Sequence, residues 1–95
     1  MRKYGRTDAN QTAVIKALRA AGISVQSISS QGDGCPDLLC GYGRVNYLLE
    51  LKDGDKPPSA RKLTADEQTW HDGWQGVVHV VETVEQALQV IRGGV

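Results

Sequence analysis

Charge of one sign is what this sequence most plainly lacks. Its 95 residues carry eleven basic and eleven acidic side chains, a formal net charge of zero. That argues against a chain that grips nucleic acid through bulk charge alone. Long apolar runs are missing as well. No stretch approaches a membrane span, and the N-terminus lacks the apolar segment of a signal peptide, so a soluble cytoplasmic protein is expected. Cysteine is scarce, with only Cys35 and Cys40. They flank one expected strand and would project to opposite faces, which disfavours a disulfide between them. Together with His71 and His79 they lack the paired spacing of a zinc site. Gly41 and Gly43 fall inside an expected hairpin, not ahead of a helix, so a phosphate-cradling loop is unsupported. No internal repeat or low-complexity segment is visible.

What is present fits one domain spanning residues 1–95, with residues 1–6 polar and expected to be loose. A chain this short buries only about 60–70% of its unfolded surface, so its core is limited and a dimer interface would help. Charge is unevenly distributed. Residues 1–20 carry Arg2, Lys3, Arg6, Lys16 and Arg19 against Asp8, while residues 66–95 carry five acids against Arg92. One basic and one acidic end could leave a local phosphate-facing surface.

The spacing of Val14, Ala17, Leu18 and Ala21 predicts a helix over 8–21, capped by Thr7 or Asp8 and ended by Gly22. Residues 23–28 read as a strand. A polar, Gly-rich loop leads to Pro36-Asp37. Two apolar runs follow, Leu38-Leu39-Cys40 and Val45 to Leu51, joined through Gly41 to Arg44. With Gly43-Arg44 as a two-residue loop they form a hairpin. Thr64 and Glu67 make a capping box that opens a helix to about Asp72. Residues 77–81 form a β-branched strand, and Thr83 to Gln86 opens a last helix with Val84, Ala87, Leu88 and Ile91 inward. The order is helix, three strands, helix, strand, helix. A crossover from the meander to the fourth strand should be right-handed, with helices covering the sheet.

The hairpin organises the chemistry. Glu50 and Lys52 share one face of a strand whose other face carries Leu49 and Leu51. A buried acid and a buried amine are costly unless paired. The two-residue loop sets Asp37 opposite Glu50, with Cβ atoms about 5 Å apart. Two carboxylates at that distance attract a divalent cation, and hard oxygen donors suit Mg²⁺ or Mn²⁺. Lys52 would sit beside the ion. The competing readings are Asp37 as a turn-former after proline and Glu50 with Lys52 as a solvated edge pair.

Pro36-Asp37 followed by Glu50-Leu51-Lys52 resembles the PD-(D/E)XK nuclease signature. With Gly32 to Leu39 and Pro57 to Thr64 around it, the chain resembles the VRR-NUC branch of that superfamily, in particular its small stand-alone phage and bacterial members, from about Asp8 to Glu82. The resemblance implies an αβββαβ core and a Mg²⁺- or Mn²⁺-dependent endonuclease, in a bacterial or phage-infected cell. Asp37, Glu50 and the Leu51 backbone carbonyl would hold the metal and Lys52 would act on the water. It also implies a homodimer acting on branched, flap or four-way junction DNA. A Gln on the helix after the triad faces the site in many relatives, which nominates Gln68. The family often places an acid at the start of its first helix, where Asp8 and Asn10 stand here, either as site residues or as a cap and a neutral substitute. A non-catalytic DNA-binding or assembly module on the same fold is the alternative, and RNA is the alternative substrate.

Lys56, Arg61 and Lys62 are candidates for phosphate contacts or ordinary loop charges, and Ser59 for a phosphate donor or a loop cap. His71 either reaches phosphate or packs. His79, mid-strand, is expected to be structural. Trp70 and Trp74, four apart, are expected to pack in the core or at a dimer interface before they stack on bases.

Overall fold

A single four-stranded mixed sheet carries three helices, and alternation along the strands decides what each face does. The computed structural model describes residues 9–93. The expectations for residues 1–6, for Thr7 or Asp8 as a cap, and for Asp8 as a site residue lie outside them. In chain order the elements are α1 (Ala9–Ala20), β1 (Ser24–Ser27), β2 (Leu38–Tyr42), β3 (Val45–Leu51), α2 (Ala65–Gly73), β4 (Val78–Val81) and α3 (Val84–Arg92). Short 3-10 turns at Ser29–Gln31 and Pro58–Ala60 lie in the two long loops. The first strand is shorter at each end than the 23–28 read from sequence. Ile23 is instead a buried core residue after α1, and Ile28 turns toward the loop, donating its N–H to the Asp37 carbonyl at 2.8 Å. Among the described residues no helix is long and apolar enough to cross a membrane.

The strands lie in the order β1-β2-β3-β4. The first three form an antiparallel meander, and β4 joins β3 in parallel after the α2 crossover. Gly43 (φ 60°) and Arg44 (φ 69°) are both left-handed between paired Tyr42 and Val45. Two left-handed central residues match the twist of the flanking strands, which is why this loop can be so short. It sets the register in which Leu38 faces Leu49 and Cys40 faces Tyr47.

One face of the sheet is closed by α1 and α3. Val14 and Leu18 from α1, and Ala87 and Ile91 from α3, bury against Leu38, Cys40, Tyr47, Leu49 and Val81. Each fully buried aliphatic side chain there contributes about 1.5–3 kcal/mol. Thr83 caps α3 by accepting from the Gln86 N–H at 3.0 Å, while the Gln86 side chain reaches back one residue further, to the Glu82 N–H at 2.7 Å. Both cysteines are free: Cys40 is buried in this core and Cys35 is half-buried ahead of β2. Residues of the opposite parity, including Leu39, Leu48 and Glu50, face the other way, toward α2.

Candidate active site

Glu50 sits at the buried end of β3, only 2% exposed. It lies under α2, flanked by Asp37 just before β2 and by Lys52 just after β3. Asp37 is fixed from two directions. Its N–H donates to the Leu49 carbonyl at 3.1 Å, and its Oδ2 accepts from the Leu51 N–H at 2.7 Å. The Asp37 and Glu50 carboxyls are near enough for each to shift the other's ionisation. The Lys52 ammonium stands 3.9 Å from Glu50 Oε2. The hairpin register therefore gathers Asp37, Glu50, Lys52 and the main chain of Leu51 into one cluster.

The electrostatics follow from burial. Desolvation pushes the Glu50 carboxyl up to about 9, with the charges of Asp37 and Glu67 adding to the shift. Burial also raises Asp37, against the lowering effect of the Leu51 N–H. Burial and then the Glu50 and Asp37 charges push the Cys35 thiol above its ordinary value. Burial alone takes Cys40 to about 11. Two adjacent acids that both resist ionising form a site short of positive charge.

Sequence reasoning missed Glu67. Lys52 donates to Glu67 Oε1 at 2.7 Å, so its stronger partner is this helix residue, not Glu50. The same Oε1 accepts from the Thr64 N–H at 2.8 Å, completing the capping box with Thr64 Oγ1 and the Glu67 N–H. Burial would raise the Glu67 carboxyl, but the Lys52 ammonium and the Thr64 N–H outweigh it and hold the group below the ordinary value. The signal for Glu67 was present in the sequence, but a capping box already accounted for it. Gln68, one residue on, lies on the exposed side of α2 and donates to Asp72 at 2.8 Å, so it is not brought to the cluster.

His71, one turn after Glu67, is brought in. Its Nε2 faces Glu50 Oε1 at 3.9 Å, too far for a hydrogen bond, and neither atom has a hydrogen-bond partner. Two buried polar atoms facing each other without contact are suited to hold something between them. Gly34 explains how the loop ahead of Asp37 reaches this helix. A Cβ there would overlap the Asp66 carbonyl, and its φ of 83° also favours glycine.

The remaining candidates are dispersed. Arg61 pairs with Glu82 at 3.2 Å and clasps the loop to the end of β4. Lys56, Ser59 and Lys62 are exposed on that loop. Asn10 is half-buried on α1, next to Gln11, whose amide donates to Ser27 Oγ at 3.1 Å. His79 lies against Tyr47, with ring centroids 6.4 Å apart. Trp70 and Trp74 stack on each other at 4.5 Å and 16° rather than entering the main core, and Trp74 is exposed. With Ile28, Cys35, Leu39, Asn46, Leu48 and Val77 they line an apolar groove of about 460 Å³ beside the cluster.

Among the described residues no group of three or more His, Cys, Asp or Glu side chains stands ready to enclose a metal ion. Mg²⁺, however, is commonly held by one or two carboxylates with waters completing its shell. Asp37, Glu50 and the Leu51 carbonyl are donors of that kind, and the unpartnered Glu50 Oε1 is a free buried ligand atom. The donor set fits a hard divalent cation. The chain matches no family model, no curated protein and no solved structure.

Proposed function

We propose that this chain is a metal-dependent endodeoxyribonuclease of the VRR-NUC type on a PD-(D/E)XK fold. Asp37, Glu50 and the Leu51 carbonyl would hold Mg²⁺ or Mn²⁺, and Lys52 would serve the attacking water. The observation that carries the reading is the burial of Glu50 against Asp37 with one oxygen unsatisfied. Burying an acid beside a second, half-buried acid costs a fold free energy that an apolar side chain of similar size would not. The residues of the cluster divide the work. The Leu51 N–H keeps Asp37 from rotating. Glu50 presents Oε1 inward. The Lys52 ammonium can orient a water or neutralise charge that develops on a phosphoryl oxygen. When bound, the ion supplies Lewis-acid polarisation of the phosphoryl group and makes a nearby water more acidic.

DNA is the proposed substrate, cut at a branch, flap or four-way junction by a homodimer. Exposed Trp74, Val77 and Val80 at the α2–β4 side support a second copy of the chain. Exposed Lys56, Ser59 and Lys62 are the proposed phosphate contacts.

One observation favours the alternative, a non-catalytic DNA-binding or assembly module: Lys52 and Asp37 are already engaged, by Glu67 and by the Leu51 N–H. Incubation with branched and linear DNA, with Mn²⁺ or EDTA, decides between them. Cleavage with Mn²⁺ that EDTA stops, and that Lys52→Ala lowers by about 10²–10³-fold, is the expected result. Binding without cleavage on every substrate, RNA included, would establish the module.

A further inference from the structure

We infer that Glu67 is a positioning residue for Lys52, and that one of its oxygens ties the amine to the first turn of α2. The inference rests on the nuclease reading for its catalytic consequence, but not for its geometry.

Lys52 lies just beyond the end of β3, where the strand no longer dictates where a long, flexible side chain points. Its backbone is anchored, since its N–H donates to the Val81 carbonyl at 2.9 Å. Its ammonium then has two acids within reach. Glu67 Oε1 takes it at 2.7 Å, while Glu50 Oε2 is 3.9 Å away. The shorter contact is a charge-assisted hydrogen bond and the longer one is not. Without Glu67, nothing on the strand would keep the amine at a set distance from the carboxyl pair.

Glu67 can do this because its own carboxylate is anchored. The same Oε1 accepts from the Thr64 N–H, and Thr64 Oγ1 accepts in return from the Glu67 N–H at 3.2 Å. A capping box therefore serves as a bracket: it fixes the helix start and presents a charged oxygen at a defined place. The same turn is packed against the loop ahead of Asp37, because Gly34 presses on the Asp66 carbonyl. The first turn of α2 thus registers both the Lys52 amine and the approach to Asp37. The isolated functions of a cap and of an ion pair would each be met by many geometries. Their meeting on one oxygen is what argues for positioning.

The substitution that separates the two roles is Glu67→Gln. A glutamine oxygen still accepts from the Thr64 N–H, so the cap survives, but the ammonium loses its anionic partner. Thr64→Ala is the converse, breaking half of the cap without removing charge. Two readouts are needed. The first is the Lys52 side-chain Cε and Nζ chemical shifts in the metal-free protein, assigned by their loss in Lys52→Arg. The expected result is a clear shift change in Glu67→Gln, with a melting temperature close to the parent's, and a lower melting temperature with little change at Lys52 in Thr64→Ala. The second is cleavage with Mn²⁺. Glu67→Gln should lower kcat about ten- to a hundredfold with KM nearly unchanged, as expected for a group acting through the transition state, and Glu67→Asp should recover part of it. Lys52 shifts that ignore Glu67→Gln overturn the inference whatever the activity. A wild type that cleaves nothing, yet whose Lys52 shifts depend on Glu67, defeats the nuclease reading and leaves the positioning standing.

Discussion

Leu49 and Glu50 are neighbours on β3 and are almost equally hidden from water, at 0% and 2% exposure. They point to opposite faces of the same sheet, and the faces are built differently. Behind Leu49 two helices close an apolar core in which every contact stabilises the fold. Above Glu50 a single short helix brings Glu67 and His71 to a cluster of acids that resist ionisation. A small chain has little burial to spare. Spending a nearly inaccessible position of β3 on a carboxyl is a cost that the α1–α3 face does not carry, and on the proposed reading the α2 face bears it for chemistry.

The comparison breaks most directly by replacing each neighbour in turn. Glu50→Gln, nearly isosteric, should abolish Mn²⁺-dependent cleavage, a loss of 10²-fold or more on the order of an essential electrostatic group, while the urea midpoint stays level or rises at pH 8. Leu49→Ala should do the reverse, lowering unfolding free energy by about 2–5 kcal/mol through a cavity. If both substitutions destabilised alike, the division between the faces would be lost.

Acidity sharpens the same contrast. The folded chain keeps a proton on Glu50 up to about 9, whereas the unfolded chain releases it near 4.5. Between those values the native state binds more protons, so metal-free stability should fall as pH rises, at no more than about 1.4 kcal/mol per pH unit for this group. Asp37, also raised, adds to that fall. Glu67, lowered, acts in the opposite sense, with its contribution lost as pH drops into the acid range. Denaturation at pH 5, 7 and 9 should show a slope that Glu50→Gln flattens and that saturating Mn²⁺ reduces, since a ligand of the native state stabilises it by mass action. A flat profile in the parent would mean that Glu50 is not held protonated.

Smaller effects test the frame around the site. Thr64→Ala should cost about 1 kcal/mol as a lost N-cap, read from thermal unfolding. Val77→Ser, at a position 68% exposed in a single chain, should weaken the proposed self-association, read by sedimentation, while changing the stability of the dilute monomer by less than about 0.5 kcal/mol. A stability loss relative to the parent that shrinks on dilution would place Val77 under a second copy of the chain, because association stabilises the fold only while the partner is abundant; a loss independent of concentration would take Val77 off that interface.

Much of the frame was legible because it is local. The Gly43-Arg44 turn between alternating runs is enough to set a register, and the register sets which residues meet. The helix starts at Thr64 and Thr83 are written in side chains within a few residues of the groups they satisfy. What was illegible depends on elements distant in sequence. Nothing near Arg61 says that Glu82 will reach it from the end of β4. Nothing near Gln68 says that the helix will turn Glu67, and not its neighbour, toward Lys52. Gly34 read only as one residue of a Gly-rich loop, and its close approach to the Asp66 backbone depends on a helix 32 residues further on.

The turn at Gly43-Arg44 has one more consequence. A strand that slips by one place along its partner turns every side chain to the other face. Were the tip rebuilt so that β3 slid one place along β2, Glu50 would turn into the oily side and Leu49 would come out to replace it. A slip of two places would restore the facing but set Asp37 against a different neighbour. The tip is remote from the acids, yet their meeting is decided there.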